Sequence, residues 1–202
     1  MTTATGTSRP SLGALYGTSV ATAFGLVFLL VNGAMLPRPG FVIVCVLAAL
    51  ALAAVVASVV RRFRGGAGVG VEAGTPPQAR GFRLFWLALA GEIVALIVGL
   101  AVLRHVGLGD YGVAWVALVV GVHFFPLARQ WNYGTYTVIA VVMSVLGLAG
   151  LGFMLAGVAP WVVAAVSGVG SGLTLLAAAA YGPDRARRAV TAGPAAAPAP
   201  IS

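Results

Sequence analysis

FVIVCVLAALALAAVVASVV, residues 41–60, holds twenty residues without a charge, and Arg61, Arg62 and Arg64 follow directly. A hydrocarbon core about 30 Å thick is crossed by about 20 apolar residues in a helix, so this stretch has the length of one span. Predominantly apolar runs of 17–23 residues recur at residues 12–31, 82–103, 111–127, 136–158 and 161–181. Runs this long exclude a β-barrel, whose strands would alternate over about ten residues. Turn chemistry separates the runs: Pro37-Arg38-Pro39-Gly40, Gly107-Leu108-Gly109-Asp110, Asn132-Tyr133-Gly134 and Pro160. The expected fold is all-α, a polytopic six-helix transmembrane bundle. Residues 12–182 form the membrane domain, 1–11 a short N-terminus, 61–81 a flexible loop and 183–202 a disordered tail.

Composition agrees with the span count. Of 202 residues, 60% are hydrophobic and 8% charged, and mean hydropathy is +1.04. Soluble domains carry about 25% charge; a third of that cannot cover a water-facing surface. A soluble enzyme, a disordered chain and a nucleic-acid-binding module are therefore excluded. The net charge of +8 is no sign of a nucleic-acid partner, because the arginines sit between apolar runs.

Those arginines orient the chain. Arg9, Arg61, Arg62, Arg64, Arg80, Arg83, Arg129, Arg185, Arg187 and Arg188 share one side of the threading, and only Arg38 and Arg104 fall on the other. The positive-inside rule then predicts cytoplasmic termini in the inner (plasma) membrane. Arg61, Arg62, Arg64, Arg80 and Arg83 root the second loop and are expected to anchor spans and to meet anionic lipid head groups. The first apolar run is longer than a signal-peptide core, so it reads as a retained span. The lone Cys45 allows no intramolecular disulfide.

Small residues at helical spacing predict close helix contacts inside lipid. Span one offers Gly13, Gly17, Ala21 and Gly25; span three offers Gly91, Ala95 and Gly99; span six offers Ala164, Gly168 and Gly172, with Ser167 and Ser171 beside them. Whether such a stripe seats a neighbouring span, a second copy or a membrane partner is left open by spacing alone. Trp86, Trp115, Trp131, Tyr133, Tyr136 and Trp161 fall near span ends, as an interfacial aromatic belt would.

Two ionisable residues lie deep in the apolar runs, Glu92 and His123. Glu92 is nine residues past Arg83, about 13 Å along the helix, and His123 is six residues before Arg129, about 9 Å from the same side. Both are equally far from the centre of the third loop, so an antiparallel hairpin brings them to similar depth. Intramembrane charge is costly and tends to face the bundle interior or water. Glu92 shares a face with Ala95 and Gly99 and is expected to point inward. Pro126 deprives the Val122 carbonyl of its helical donor, so a kink is expected beside His123. The pair suits proton or cation handling, and it equally suits a structural polar link between spans.

Enzyme chemistry finds little footing. No phosphate loop or lysine is present. In Val169-Gly170-Ser171-Gly172 a valine stands where an intramembrane serine protease needs glycine, and both histidines precede the serine. Two histidines and one deep glutamate do not make a hydrolytic metal set. No enzyme, cofactor or metal site is expected.

The stretch Gly121-Val122-His123-Phe124-Phe125-Pro126-Leu127-Ala128-Arg129 resembles the G-x-H-F-x-P-L-A segment of a group of uncharacterised six-span bacterial membrane proteins, which carry a glutamate in the preceding span. The resemblance covers residues 82–136 and implies no activity. It marks Glu92, His123 and Pro126 as positions to test. Two functions follow as expectations: a small carrier or channel for a proton, cation or small polar solute built on Glu92 and His123, or a non-transporting subunit or ligand-binding module that packs through its small-residue faces.

Overall fold

The computed structural model describes residues 12–64, 79–131 and 134–191. Six helices are long and apolar enough to cross a membrane, and among the described residues there is no strand. They are α1 (Leu12–Gly33), α2 (Arg38–Arg64), α3 (Ala79–His105), α4 (Gly112–Trp131), α5 (Gly134–Leu155) and α6. The last is one continuous rod of three segments: Pro160–Val163, a π-helical turn Ala164–Val169, and Gly170–Thr191. A 3₁₀ turn, Gly109–Tyr111, leads into α4. This is the architecture of a multi-pass membrane protein.

The turns arise where the sequence supplies their chemistry. After α3, Gly107 takes φ +77°, and Leu108 N–H donates to the Leu103 carbonyl while Gly107 N–H donates to Arg104. That is the left-handed cap for which glycine pays no Cβ penalty. Gly157 repeats it after α5 with φ +70°: its N–H donates to the Met154 carbonyl, and the Val158 N–H donates to the Phe153 carbonyl. Pro160 then opens α6 at the first helical position, where its missing N–H costs nothing. Tyr111 Oη–H donates to the Val158 carbonyl at 3.0 Å and ties these two turns together.

Packing is uneven around the bundle. α6 is the inner helix: 56% of residues in Pro160–Gly182 are buried, against 0% in Trp86–His105 of α3. One apolar cluster joins α1, α2 and α6 through Leu29, Val44, Val55 and Leu176. A second joins α1, α5 and α6 through Phe28, Ile139, Met143 and Leu175, with Val116 and Val120 of α4 packed against it. Neither includes a residue of α3, whose contacts are chiefly with α4. Large apolar side chains cover the outside, including Phe24, Leu50, Leu87, Ile97 and Leu148; this is the surface hydrocarbon would contact.

Glycines set the closest approaches. A Cβ at Gly172 would meet the Gly25 carbonyl at 2.8 Å and the Leu29 backbone nitrogen at 2.9 Å, so α1 and α6 touch backbone to backbone. The span-one stripe is thus partly occupied within the chain: Gly25 is buried against α6, whereas Gly17 is exposed. Gly168 receives Asn32, and Gly150 receives Ser167. Ser167 Oγ–H also crosses to the Leu146 carbonyl at 2.8 Å.

The helix of span six continues to Thr191, so the tail does not become irregular at residue 183; Ala186, Arg187, Arg188 and Ala189 are good helix formers and carry the ladder on. Residues 1–11, most of the 61–81 loop and residues 192–202 lie outside the described residues.

Candidate functional site

Glu92 stands thirteen residues from either end of α3, in mid-span. Its neighbours along the rod are Ile93, Val94 and Ala95, so local sequence supplies apolar surface and nothing to pair with the carboxylate. The partner comes from α4. His123 Nδ1 lies 3.3 Å from Glu92 Oε2, with the two side chains 10% and 14% exposed. The approach is within ion-pair range. Its alignment does not make a hydrogen bond, and Nδ1 has no other partner.

The hairpin explains how α4 aims the ring. Gly121 lies flat against α5, where a Cβ would meet the Ser144 backbone nitrogen and the Met143 carbonyl carbon. His123, two residues on, is rotated by about 200° and therefore faces α3. Phe124 stacks edge-on beside the imidazole, with ring centroids 6.1 Å apart, and then contacts Tyr136 at 5.8 Å. The helix continues through Pro126 to Trp131, and Pro126 still leaves the Val122 carbonyl without its i+4 donor.

A second contact fixes the seam. Trp115 Nε1–H donates to the Ala95 carbonyl at 2.9 Å, and the indole sits against Gly99. Trp115 is therefore a seam residue and not the belt residue its place near a span end suggests. Trp115→Phe keeps an aromatic ring and removes the indole donor, while the Ala95 carbonyl retains its helical partner, so we expect a loss of about 1 kcal/mol, read as a lower melting temperature in detergent.

The predicted stripe of span three is used in part. Gly99 and Ala95 meet α4, but nothing lies within 4 Å of a Cβ at Gly91. Eight residues turn a helix through about 80° beyond two full turns, so Gly91 has drifted off the face that Gly99 presents. No residue of Trp86–His105 is buried, yet Glu92 turns toward α4, where its side chain is only 14% exposed. For Gly13 the surroundings fall outside the described side chains.

Three polar groups lie inside the bundle, two of which, Asn32 and Ser144, the sequence does not single out. Asn32 is buried and donates to the Phe28 carbonyl at 2.8 Å. Ser144 and Ser171 have buried hydroxyls without partners. Other hydroxyls satisfy themselves on their own helix, as Thr22 does on Thr18 and Thr174 on Gly170. Only the polarity of these residues within apolar runs could have flagged them. Among the described residues, no three of His, Cys, Asp and Glu converge as a metal set would. Neither a protein-family model, nor a curated protein, nor a solved structure matches the chain.

Proposed function

We propose that this protein is a small inner-membrane carrier or channel for a proton, cation or small polar solute, with cytoplasmic termini, and that Glu92 and His123 bind the species that moves. The observation that carries the reading is the 3.3 Å approach of the two side chains in mid-span. A carboxylate and an imidazole in hydrocarbon are costly and are retained chiefly on ion or proton pathways. Nothing else in α3 needs a charge: its other mid-span residues are apolar and half of them face outward. The exposed Arg61 and Arg64 at the end of α2 suit contact with anionic head groups on the cytoplasmic side.

The test is flux. Purified protein in sealed vesicles should collapse an imposed pH gradient faster than protein-free vesicles. Glu92→Gln and His123→Gln should each return the rate to that background. A pH-dependent flux that Glu92→Gln leaves unchanged would reject the assignment.

A second reading draws on the bare outer face of α3. A non-transporting subunit would leave one helix unburied for a membrane partner, and Leu87, Val94 and Ile97 are all more than half exposed. In this reading the Glu92–His123 pair only links two spans, and wild-type vesicles carry no flux.

A further inference from the structure

We propose that the α3–α4 seam is a proton-counting latch: it is closed when Glu92 and His123 together hold one proton, and α3 moves away from α4 when they hold none or two. This rests on the proposed function and deepens it, by making the species bound a proton and α3 the element that moves.

Three observations carry it. First, α3 is held by little else. No residue of its membrane window is buried, it joins neither apolar cluster, and its packing is chiefly on α4. The seam is a line of contacts: Glu92 with His123, the Ala95 carbonyl with Trp115, Gly99 with Trp115 and Leu100 with Gly112. A helix attached along one seam can swing without opening a core. Second, the site suits an occupant that needs one or two ligands. A bound metal needs more donors, and among the described residues no third acidic, histidine or cysteine ligand converges here. Third, Nδ1 is buried without a hydrogen-bond partner and lies 3.3 Å from Oε2, close enough for the two groups to share one proton.

Charge counting gives the sign. With one proton between them the groups are a carboxylate facing an imidazolium, or a neutral acid facing a neutral ring; both are neutral overall. With no proton the pair carries −1, and with two it carries +1. Either net charge is expensive in a low-dielectric seam, and parting α3 from α4 makes room for water around it.

Among the described residues no other charged side chain lies at that depth. On α3, Arg83 lies nine residues before Glu92, and Arg104 and His105 lie at the far end. On α4, Arg129 is six residues beyond His123 and exposed, and Asp110 is in the 3₁₀ turn at the opposite end.

The experiment measures the α3–α5 distance in the full chain. Cys45 is replaced by serine, and nitroxides are attached through Val98→Cys and Val138→Cys, both at exposed positions. Samples in lipid nanodiscs are frozen between acidic and alkaline pH and read by pulsed electron resonance. Around neutral pH a single narrow distance is expected, with the open form on the order of 1–10%. At both extremes a second, longer distance should become the majority. Glu92→Gln should retain only the acidic transition, because the remaining group is an imidazole that charges on protonation. His123→Gln should retain only the alkaline one, because the remaining carboxyl charges on deprotonation. A distance that ignores pH, or variants that keep both transitions, overturns the latch. If Glu92→Gln abolishes flux while the distance never changes, the latch fails and the carrier stands. If α3 moves as described and no vesicle carries flux, the carrier fails and the latch stands.

Discussion

Gly147→Val is expected to yield almost no monodisperse protein in detergent, although the substitution removes no interaction. A Cβ at residue 147 would collide with the backbone nitrogen and Cα of Leu118 on α4. Backbone cannot rotate aside as a side-chain tip can, so α4 and α5 would have to separate along their length. Overpacking costs about 1–3 kcal/mol where side chains can adjust, and this site should exceed that. It is the closest backbone approach among the described glycines, and Gly121 meets the Ser144 backbone in the same way just under one turn away. Gly152→Val is the control. It lies on the same helix, is exposed, and has nothing within 4 Å of its Cβ position. Size-exclusion profiles and melting temperatures of the two variants should differ sharply; equal behaviour would mean that α4 and α5 do not approach as described.

The second large effect concerns the Glu92–His123 pair. His123→Leu leaves a carboxylate facing apolar surface, and removing one member of a buried pair costs about 3–5 kcal/mol. With the side chains 10% and 14% exposed, the lower end of that range applies. Glu92→Leu combined with His123→Leu should recover most of the loss, because replacing both members with apolar groups is often neutral or stabilising. The cycle separates two roles that a single variant confuses. If the pair only links spans, the double variant is stable and nothing else changes. If it handles a proton, the double variant is equally stable and carries no flux. Strict additivity of the two single variants would show that the groups do not interact.

How much of this was legible in the sequence depends on which physical term decides each feature. Six spans followed from length and hydropathy, because hydrocarbon imposes a thickness and apolar runs such as 41–60 match it. The depth match of Glu92 and His123 followed from counting along two rods joined at residue 107. Their facing each other was not fixed by counting. It depends on Gly121 being pressed against α5, and therefore on Ser144 and Met143, which belong to another span. Gly25 and Gly172 were visible as small residues, but that they face each other rests on the antiparallel run of α1 and α6. Gly91 leaves the α4 seam because a four-residue spacing drifts around a 3.6-residue helix. Gly147 and Gly157 were passed over: one glycine in a run of Leu, Ala and Gly has no local mark to distinguish a backbone contact or a left-handed cap. The six-residue π turn in α6 has no sequence signature either, since Ala164 to Val169 would serve equally well in an α-helix.

That turn sets the angular phase of everything after it. Winding by i→i+5 bonds, it holds more residues than the same length of α-helix, and each residue of helix subtends about 100°. Were one residue removed between 164 and 169, the rod could close into regular α-helix with better local bonding. Gly172, Leu175, Leu176 and Ala179 would then all rotate together, turning Gly172 away from Gly25 and Leu176 away from Leu29. The bundle is therefore keyed to a local irregularity: the inner helix is wound less regularly at one point so that its two halves can address different neighbours.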